Sequence, residues 1–597
     1  MNSVTSRIVA AIGWLIVAGC VIATYWPALH YIWIWDDMQT VGRYPQFSHL
    51  NWWHLLGSSL PFSKDYFRPL VVLSFLVENS ISQQPALAHA INIAIQAMNA
   101  ILVGLLAASF WQDQQRGNRL AMLAAALLYG LHPALVEDVA WVSGRFDLLF
   151  TLFILLGLLA DTRLAPGLRR TITVSLLFMA ALLSKETAIV FPVLLILWRA
   201  GRGVRPFSNG NKAEFVGIAL MIAADVAVRY ALFGYLFTRD NGIDDIPLGS
   251  TLQRWLLPGG AFYGYVKLTA LPFGTAGTLH WVDLPYAINN WKAWAGWLLL
   301  LGGGALAFVL TRRRSATVQA HGYLLAAFIL CLLPVIHFVL TPFLMGNTLF
   351  ADRLLQLPLV FACVSLYGAM TASSLSTRNP LPTTALMISI AMIFAAWSRL
   401  LLPVWSNDLV LWSTMVRDHP DCSYCKMNLA ISTSFIDPDK SMQLAIQSRD
   451  EAQQSWQRVQ SDRVVASDLT QQKRYQDALG YIDDAIRTSR YKRETALLYC
   501  QKASLFMDLN QINQAINAIH QSAEVDHHLS KYFLVVNLQL AIRTHNQTAA
   551  LRLYHMFMPI LTDEEQLIWR TRMIRAFPKL GLDQLNISAD PMHRSAS

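Results

Sequence analysis

The sequence predicts an all-α protein in two parts, a polytopic membrane helical bundle over residues 1–404 and a soluble helical-repeat domain over 405–597. Three observations carry this reading. Hydrophobic residues fill 54% of the 597 positions and charged residues only 14%, against the roughly 25% usual in soluble domains. The charge is uneven: 21 Lys and Arg balance 21 Asp and Glu after residue 404, so the whole net charge of +9 belongs to the first part. Alanine-marked segments then recur in the second part at near-constant spacing. A basic balance of this kind points to cytoplasmic loops and anionic lipid, not to nucleic acid. Six Cys in such a length exclude a disulfide-stapled scaffold.

The first apolar run, Ile8–Leu29, is long enough to cross about 30 Å of hydrocarbon and lacks a small-residue cleavage site, so it reads as a retained helix. Further runs lie near 88–111, 119–135, 146–160, 171–183, 186–198, 213–235, 292–311, 321–341, 354–374 and 384–404. This gives about eleven spans. Arg116 and Arg119, then Arg163, Arg169 and Arg170, then Arg199, Arg202, Arg205 and Lys212 occupy alternate loops, continued by Arg312–Arg314 and Arg378. Cytoplasmic placement of these loops puts 30–87, 136–145, 184–186, 236–291 and 342–353 outside, and parity puts 405–597 there too. The segment 256–272 would break parity as a span and is expected to be re-entrant or interfacial.

The outer loops then collect nine ionisable groups: Asp36, Asp37, Arg68, Glu137, Arg145, Lys185, Glu186, Asp352 and Arg353. Charge at span ends is costly unless paired or functional, and nine such groups on one face exceed what snorkelling needs. By contrast, Asp225 and Arg229, an i,i+4 pair inside a span, read as a structural ion pair.

In the tail, RYQDALGYIDDAI, QINQAINAIHQSA and NQTAALRLYHMF align on Ala478, Ala515 and Ala549, 37 and 34 positions apart, with Ala503 on a preceding helix. Small residues at a repeat near 34 are the tetratricopeptide signature, whose helix pairs stack into a solenoid with a binding surface. Cys422 and Cys425 form a lone CxxC, half of a structural zinc site; a local disulfide or two ordinary core residues both fit it.

Chemistry concentrates in a few motifs. Trp33–Asp37 places two adjacent carboxylates above the bilayer, where one can serve as a base. Arg68 brings a guanidinium suited to phosphate. His89 and Asn92 share a helix face. Residues 131–147 crowd His132, Glu137, Trp141, Arg145 and Asp147 around breaks at Pro133 and Ser143-Gly144. Ser184-Lys185-Glu186 forms a sharp outer turn, and Asn347 and Asp352-Arg353 precede a span.

This succession, with Arg68-Pro69-Leu70, Trp141-Val-Ser-Gly-Arg145-x-Asp147 and Asp352-Arg353-Leu-Leu-x-Leu-Pro358, resembles the transmembrane and tetratricopeptide-repeat (TMTC-type) proteins. These are O-mannosyltransferase-like enzymes of the GT-C superfamily. The resemblance runs through Trp405, Trp412 and Pro420 into the repeats. Asp352 and Gln356 stand where that family usually has Glu and Tyr, and the repeat array is shorter.

The resemblance implies a GT-C fold and an inverting transfer of a sugar from a polyprenyl-phosphate carrier to a protein hydroxyl. Asp36 or Asp37 would be the base, and Arg68, Arg145, Lys185 and Arg353 the phosphate contacts. His89, Asn92, His132, Glu137, Asp147, Glu186 and Asp352 would orient these groups or touch the sugar. No cofactor is firmly implied and no closed metal-ligand set is present, although a divalent cation between Asp36/Asp37 and His132 or Glu137 is left open. The repeats would hold the protein acceptor. The expected location is the bacterial inner membrane with the site periplasmic, or the endoplasmic reticulum with the site lumenal. A lipid or polysaccharide acceptor is the alternative within the class; a non-catalytic scaffold is the alternative outside it.

Overall fold

The computed structural model describes residues 3–40, 66–111, 119–208, 211–234, 246–273, 279–338, 347–372, 381–526, 531–558, 561 and 563–578. Arg116, Arg378 and residues 41–65 of the first outer loop lie outside them. The chain divides into two compact units, with the boundary between Asp418 and His419. In the first unit the helices are α1 (Ser3–Tyr25), α2 (Pro69–Ile81), α3 (Pro85–Phe110), α4 (Arg119–Gly130), α5 (Val136–Ala140), α6 (Arg145–Arg163), α7 (Leu168–Leu182), α8 (Phe191–Gly201) and α9 (Lys212–Phe233). They continue with α10 (Thr251–Ala270), α11 (Trp291–Thr311), α12 (Ala316–Leu332), α13 (Pro358–Ala372), α14 (Leu381–Leu401) and α15 (Asp408–Asp418). The helix α15 thus belongs with the bundle rather than with the tail. Two short antiparallel strands, β1 (Leu279–Trp281) and β2 (Thr348–Ala351), interrupt the all-α pattern.

Among the described residues, seven helices are long and apolar enough to cross a membrane, or eight if the bent pair Arg119–Gly130 and Pro133–Ala140 counts as one span. The expected runs at 171–183, 186–198 and 354–374 fall on α7, α8 and α13, of 15, 11 and 15 residues. At 1.5 Å per residue these reach at most about 22 Å, short of a full crossing. The segment 256–272 falls on the 20-residue α10 and not on a broken re-entrant element, with Pro258 inside the helix.

The core is built on α3. Its Asn92, Gln96 and Asn99, at i, i+4 and i+7, are fully buried on one face. Asn99 donates to the Leu148 carbonyl on α6 (3.1 Å), and Gln96 accepts from Gln356 just before α13 (2.7 Å). Amides in apolar surroundings have few other partners, so these bonds fix how the helices register. Charge is segregated to the two ends of α6, about 27 Å apart. At the Arg163 end, buried Arg170 and Arg199 pair with Asp161 and Glu214. At the Arg145 end lie the motifs of residues 131–147.

Close backbone approach explains two glycines. A Cβ on Gly144 would meet the Asp138 carbonyl at 2.4 Å, so the turn between α5 and α6 closes only without a side chain. On α11, a Cβ on Gly296 would stand 1.7 Å from the Gly259 carbonyl of α10.

The second unit consists of α16 (Ser423–Thr433), α17 (Pro438–Glu451), α18 (Ser455–Gln471), α19 (Tyr475–Thr488), α20 (Lys492–Asp508), α21 (Ile512–Val525), α22 (Lys531–Arg543), α23 (Gln547–Phe557) and α24 (Asp563–Ala576). The recurring segments form α19, α21 and α23. Ala478, Ala503 and Ala515 are fully buried, in cores built from successive helix pairs, and Ala549 packs at the edge of the last core. Cys422 and Cys425 form a disulfide that closes the first turn of α16.

Replacing Gly296 by Ala is expected to lower thermal stability in detergent by about 1–3 kcal/mol through overpacking. Gly302→Ala on the same helix, where a Cβ meets nothing within 4 Å, should be neutral or better. Equal melting temperatures for the two variants would contradict the close α10–α11 contact.

Candidate active site

The first loop leaves α1 through a 3-10 turn (Trp26–His30) and reaches Trp35 in a left-handed conformation, φ 53°. That strained residue is held from three sides. Its N–H donates to Asp408 Oδ1 on α15 (2.8 Å), its ring stacks on Trp141 (5.0 Å), and it meets Trp412 edge-on (5.6 Å). Asp36 and Asp37 follow and diverge. Asp37 is fully buried, with Oδ1 accepting from Ser143 N (2.9 Å) and Ser143 Oγ (2.7 Å) and Oδ2 from Ile34 N (3.3 Å). Asp36 Oδ1 is sequestered from water yet meets no donor among the described residues. Burial raises both carboxyls, Asp36 to about 6 and Asp37 to about 7; Ser143 works against the rise at Asp37 and the Asp36 charge adds to it.

Three cations from distant segments act on one another, and one of them, Arg353, acts on Asp36. Arg353, on the 3-10 turn that follows β2, gives its guanidinium and its backbone N–H to Glu137, whose Oε2 lies 3.0 Å from the amide. The same guanidinium lies 5.1 Å above the Trp141 ring. Lys185, in the turn after α7, pairs with Asp147. Arg68, at the start of α2, donates through Nε (3.0 Å) and Nη2 (2.9 Å) to Glu186. Leu70 N–H bonding to the Leu183 carbonyl holds those two segments together. Burial lowers the Lys185 ammonium; Asp147 opposes this, while the Arg68 and Arg353 charges push it further down. Arg353 is held above its ordinary value, because Glu137 and then Asp147 and Asp36 outweigh its burial. All three cations are buried yet keep an exposed edge, at 6–8% of their surface.

Arg145, expected as a phosphate contact, is enclosed by protein. It is 0% exposed and every arm is engaged: Nε with Asn92 Oδ1 (2.9 Å), Nη1 with Glu78, and Nη2 with the Ala88 carbonyl (2.9 Å). A guanidinium so enclosed ties α6 to α2 and α3. Asn92 is likewise spent, its amide reaching the Trp141 and Val142 carbonyls (3.2 Å each). His132 caps the Pro133–Leu135 turn and packs on Phe394, which makes it a hinge of the chain break. His89 is buried against Tyr31, and neither ring nitrogen has a partner among the described residues. Asn347 stands at a left-handed turn before β2. Arg229 bonds Asp225 (2.8 Å) as expected, but also reaches the Phe67 carbonyl (3.2 Å) and approaches Glu186 (3.7 Å), so it joins the rim. Among the described residues, no group of three or more His, Cys, Asp or Glu is arranged to hold a metal ion.

Four functional neighbours escaped the sequence reading. Ser143 lay inside the motif as a mere break. Glu78 is the lone ionisable residue of an apolar helix, a signal that alone could have flagged it. His280 reaches Asp352 through Nε2 (2.5 Å) and stacks on Phe350 at 3.7 Å, a pairing set by the β1–β2 register. Asp408 acts on Trp35 across 373 positions, where no local pattern can indicate it.

No family model matches the chain. It is 24% identical over 460 residues to protein O-mannosyl-transferase TMTC4 of Mus musculus, an alignment covering 66% of this chain and 58% of that protein. It is 35% identical over 133 residues to TMTC4 of Homo sapiens, covering 21% and 18%, and 36% identical over 126 residues to Tmtc1 of Drosophila melanogaster, covering 21% and 14%. The chain thus spans at most 58% of the length of these relatives.

Arg145→Ala is expected to destabilise the bundle by roughly 3–5 kcal/mol, since it strands the buried Glu78 carboxylate. Truncating both partners, Arg145→Met with Glu78→Gln, should recover part of that loss in a thermal-unfolding assay. A double variant no better than Arg145→Ala would contradict the pairing as the origin of the effect.

Proposed function

We propose that this chain is an integral-membrane glycosyltransferase that moves a sugar from a polyprenyl-phosphate carrier to a hydroxyl of a protein acceptor, with inversion, on the extracytoplasmic side. Mannose is the sugar suggested by the names of the relatives. The observation that carries the reading is a chain of cations, Arg68 and Arg353 acting on Lys185 and Arg353 in turn on Asp36, whose buried Oδ1 has no partner among the described residues. The Cys422–Cys425 disulfide favours an oxidising compartment for the tail.

In this reading Asp36 takes the proton of the acceptor hydroxyl as its oxygen attacks the anomeric carbon. The bond from that carbon to the carrier phosphate breaks, and its electron pair leaves with the phosphate. Charge growing on the departing phosphate is met by Arg353, Lys185 and Arg68, each already fixed by a carboxylate and so requiring no reorganisation as the reaction proceeds. Glu137, Asp147 and Glu186 set the orientation of those cations, and Asp37, locked by Ser143, sets that of Asp36. The indole N–H of Trp141, without an acceptor among the described residues, is the candidate donor to the sugar. A single base with a charge-stabilised leaving group gives one displacement, unlike the two-carboxylate hydrolases.

Asp36→Asn should reduce transfer from a radiolabelled polyprenyl-phosphate sugar by about 10²–10⁴-fold while leaving the melting temperature unchanged. Asp37→Asn should lose less activity and more stability. An Asp36→Asn enzyme of full activity would refute the assignment.

Because the base must be ionised and burial holds Asp36 at about 6, the rate is expected to rise with pH through that value and to fall away below it. Removing the neighbouring Asp408 charge with Asp408→Asn should move this acid limb to lower pH, since like charge raises a carboxyl. A pH–rate profile of the two enzymes that coincides in its acid limb would contradict the coupling.

A further inference from the structure

Two cavities among the described residues of the second unit differ in the kind of charge they hold. The larger, about 790 Å³, is lined mainly by α17 and α19 and neutralises itself: Arg449 pairs with Asp484, Arg474 with Asp477, Arg487 with Asp484, and Asp483 with Lys502. It has no charge left for a partner. The smaller, about 580 Å³, is lined by one stripe each from α20, α22 and α24. On α22 the stripe is Tyr532, Val535, Gln539 and Ile542, at i, i+3, i+7 and i+10; on α24 it runs through Trp569, Arg572 and Ala576 with Arg575 beside it. Helix spacing of 3.6 residues puts such positions on one face, so three alternate helices each turn one side to the groove.

The charge of that groove is unbalanced. Three arginines, Arg543, Arg572 and Arg575, meet one carboxylate, Asp508. Arg543 is spent on it, donating to Asp508 (2.9 Å) and to the Met507 carbonyl. Arg572 lies over the Trp569 ring at 4.8 Å and, like Arg575, enters no ion pair among the described residues. Both are exposed. An arginine held on an indole face loses little further entropy when a carboxylate arrives, and presents its planar fork to it. Between the arginines, Val535 and Ile542 offer apolar contact and Gln539 a backbone-pairing amide.

We propose that the groove across α20, α22 and α24 docks an extended, acidic segment of a partner polypeptide, with its carboxylates on Arg572 and Arg575 and its backbone along Gln539. The proposal goes beyond the transferase reading, because docking is measured without transfer and either can fail while the other stands.

The test uses the full-length protein in nanodiscs of neutral phosphatidylcholine and a fluorescein-labelled peptide of alternating Glu and Ser, read by anisotropy. The wild type should bind the peptide, and more weakly as salt rises. Arg572→Glu with Arg575→Glu, both surface changes, should bind it about tenfold or more weakly at an unchanged melting temperature. Arg474→Glu, on the self-neutralised cavity, should bind as the wild type does. Replacing every Glu of the peptide by Gln should abolish the difference between wild type and double variant. Unchanged affinity in the double variant would overturn the proposal. So would equal binding of the Gln peptide, or loss in the double variant of binding to phosphatidylglycerol vesicles but not to the peptide.

Discussion

A cation taken out of water has to recover its hydration from the protein, and four basic side chains at one end of this bundle do so in two ways. Arg145 is fully enclosed and fully bonded, and it acts as a rivet between α2, α3 and α6. Arg68, Lys185 and Arg353 are each clamped by one carboxylate but keep an edge free. The second arrangement fixes each cation against one carboxylate while leaving part of its surface uncovered. Everything else at this end, from the Gly144 turn to the β1–β2 ladder, brings those clamped groups into one neighbourhood.

The opposite end of α6 makes the contrast. There Arg170 and Arg199 share Asp161, Glu214 and Asn211 in a closed mutual network. Charge of both signs is used up internally and the cluster holds α6, α7, α8 and α9 together. Density of ionisable residues alone therefore does not mark a site in this protein.

Much of this was legible in the sequence, for identifiable reasons. Run length and charge depletion mark apolar helices directly, and the alanine spacing located α19, α21 and α23 because small residues are required where paired helices touch. The rim residues were legible because charge beside apolar runs is expensive. The role of Arg145 was not, since one guanidinium in a motif looks the same whether it faces Glu78 or a ligand. Nor could adjacent Asp36 and Asp37 be told apart; their difference rests on Ser143, 106 positions away from Asp37. The span count was not legible, because hydropathy registers α7, α8 and α13 as apolar whatever their length, and among the described residues they measure 15, 11 and 15 residues.

The hydrogen bond from Trp35 to Asp408 couples the beginning of the bundle to its last helix. A nascent chain leaving the ribosome carries Asp36 and Asp37 long before it carries α15, and until then Trp35 lacks both its acceptor and its Trp412 neighbour. The acidic dipeptide acquires its final geometry only when nearly the whole first unit has been synthesised and inserted. The local geometry of the first loop is thus tied to a helix that the ribosome delivers 373 positions later.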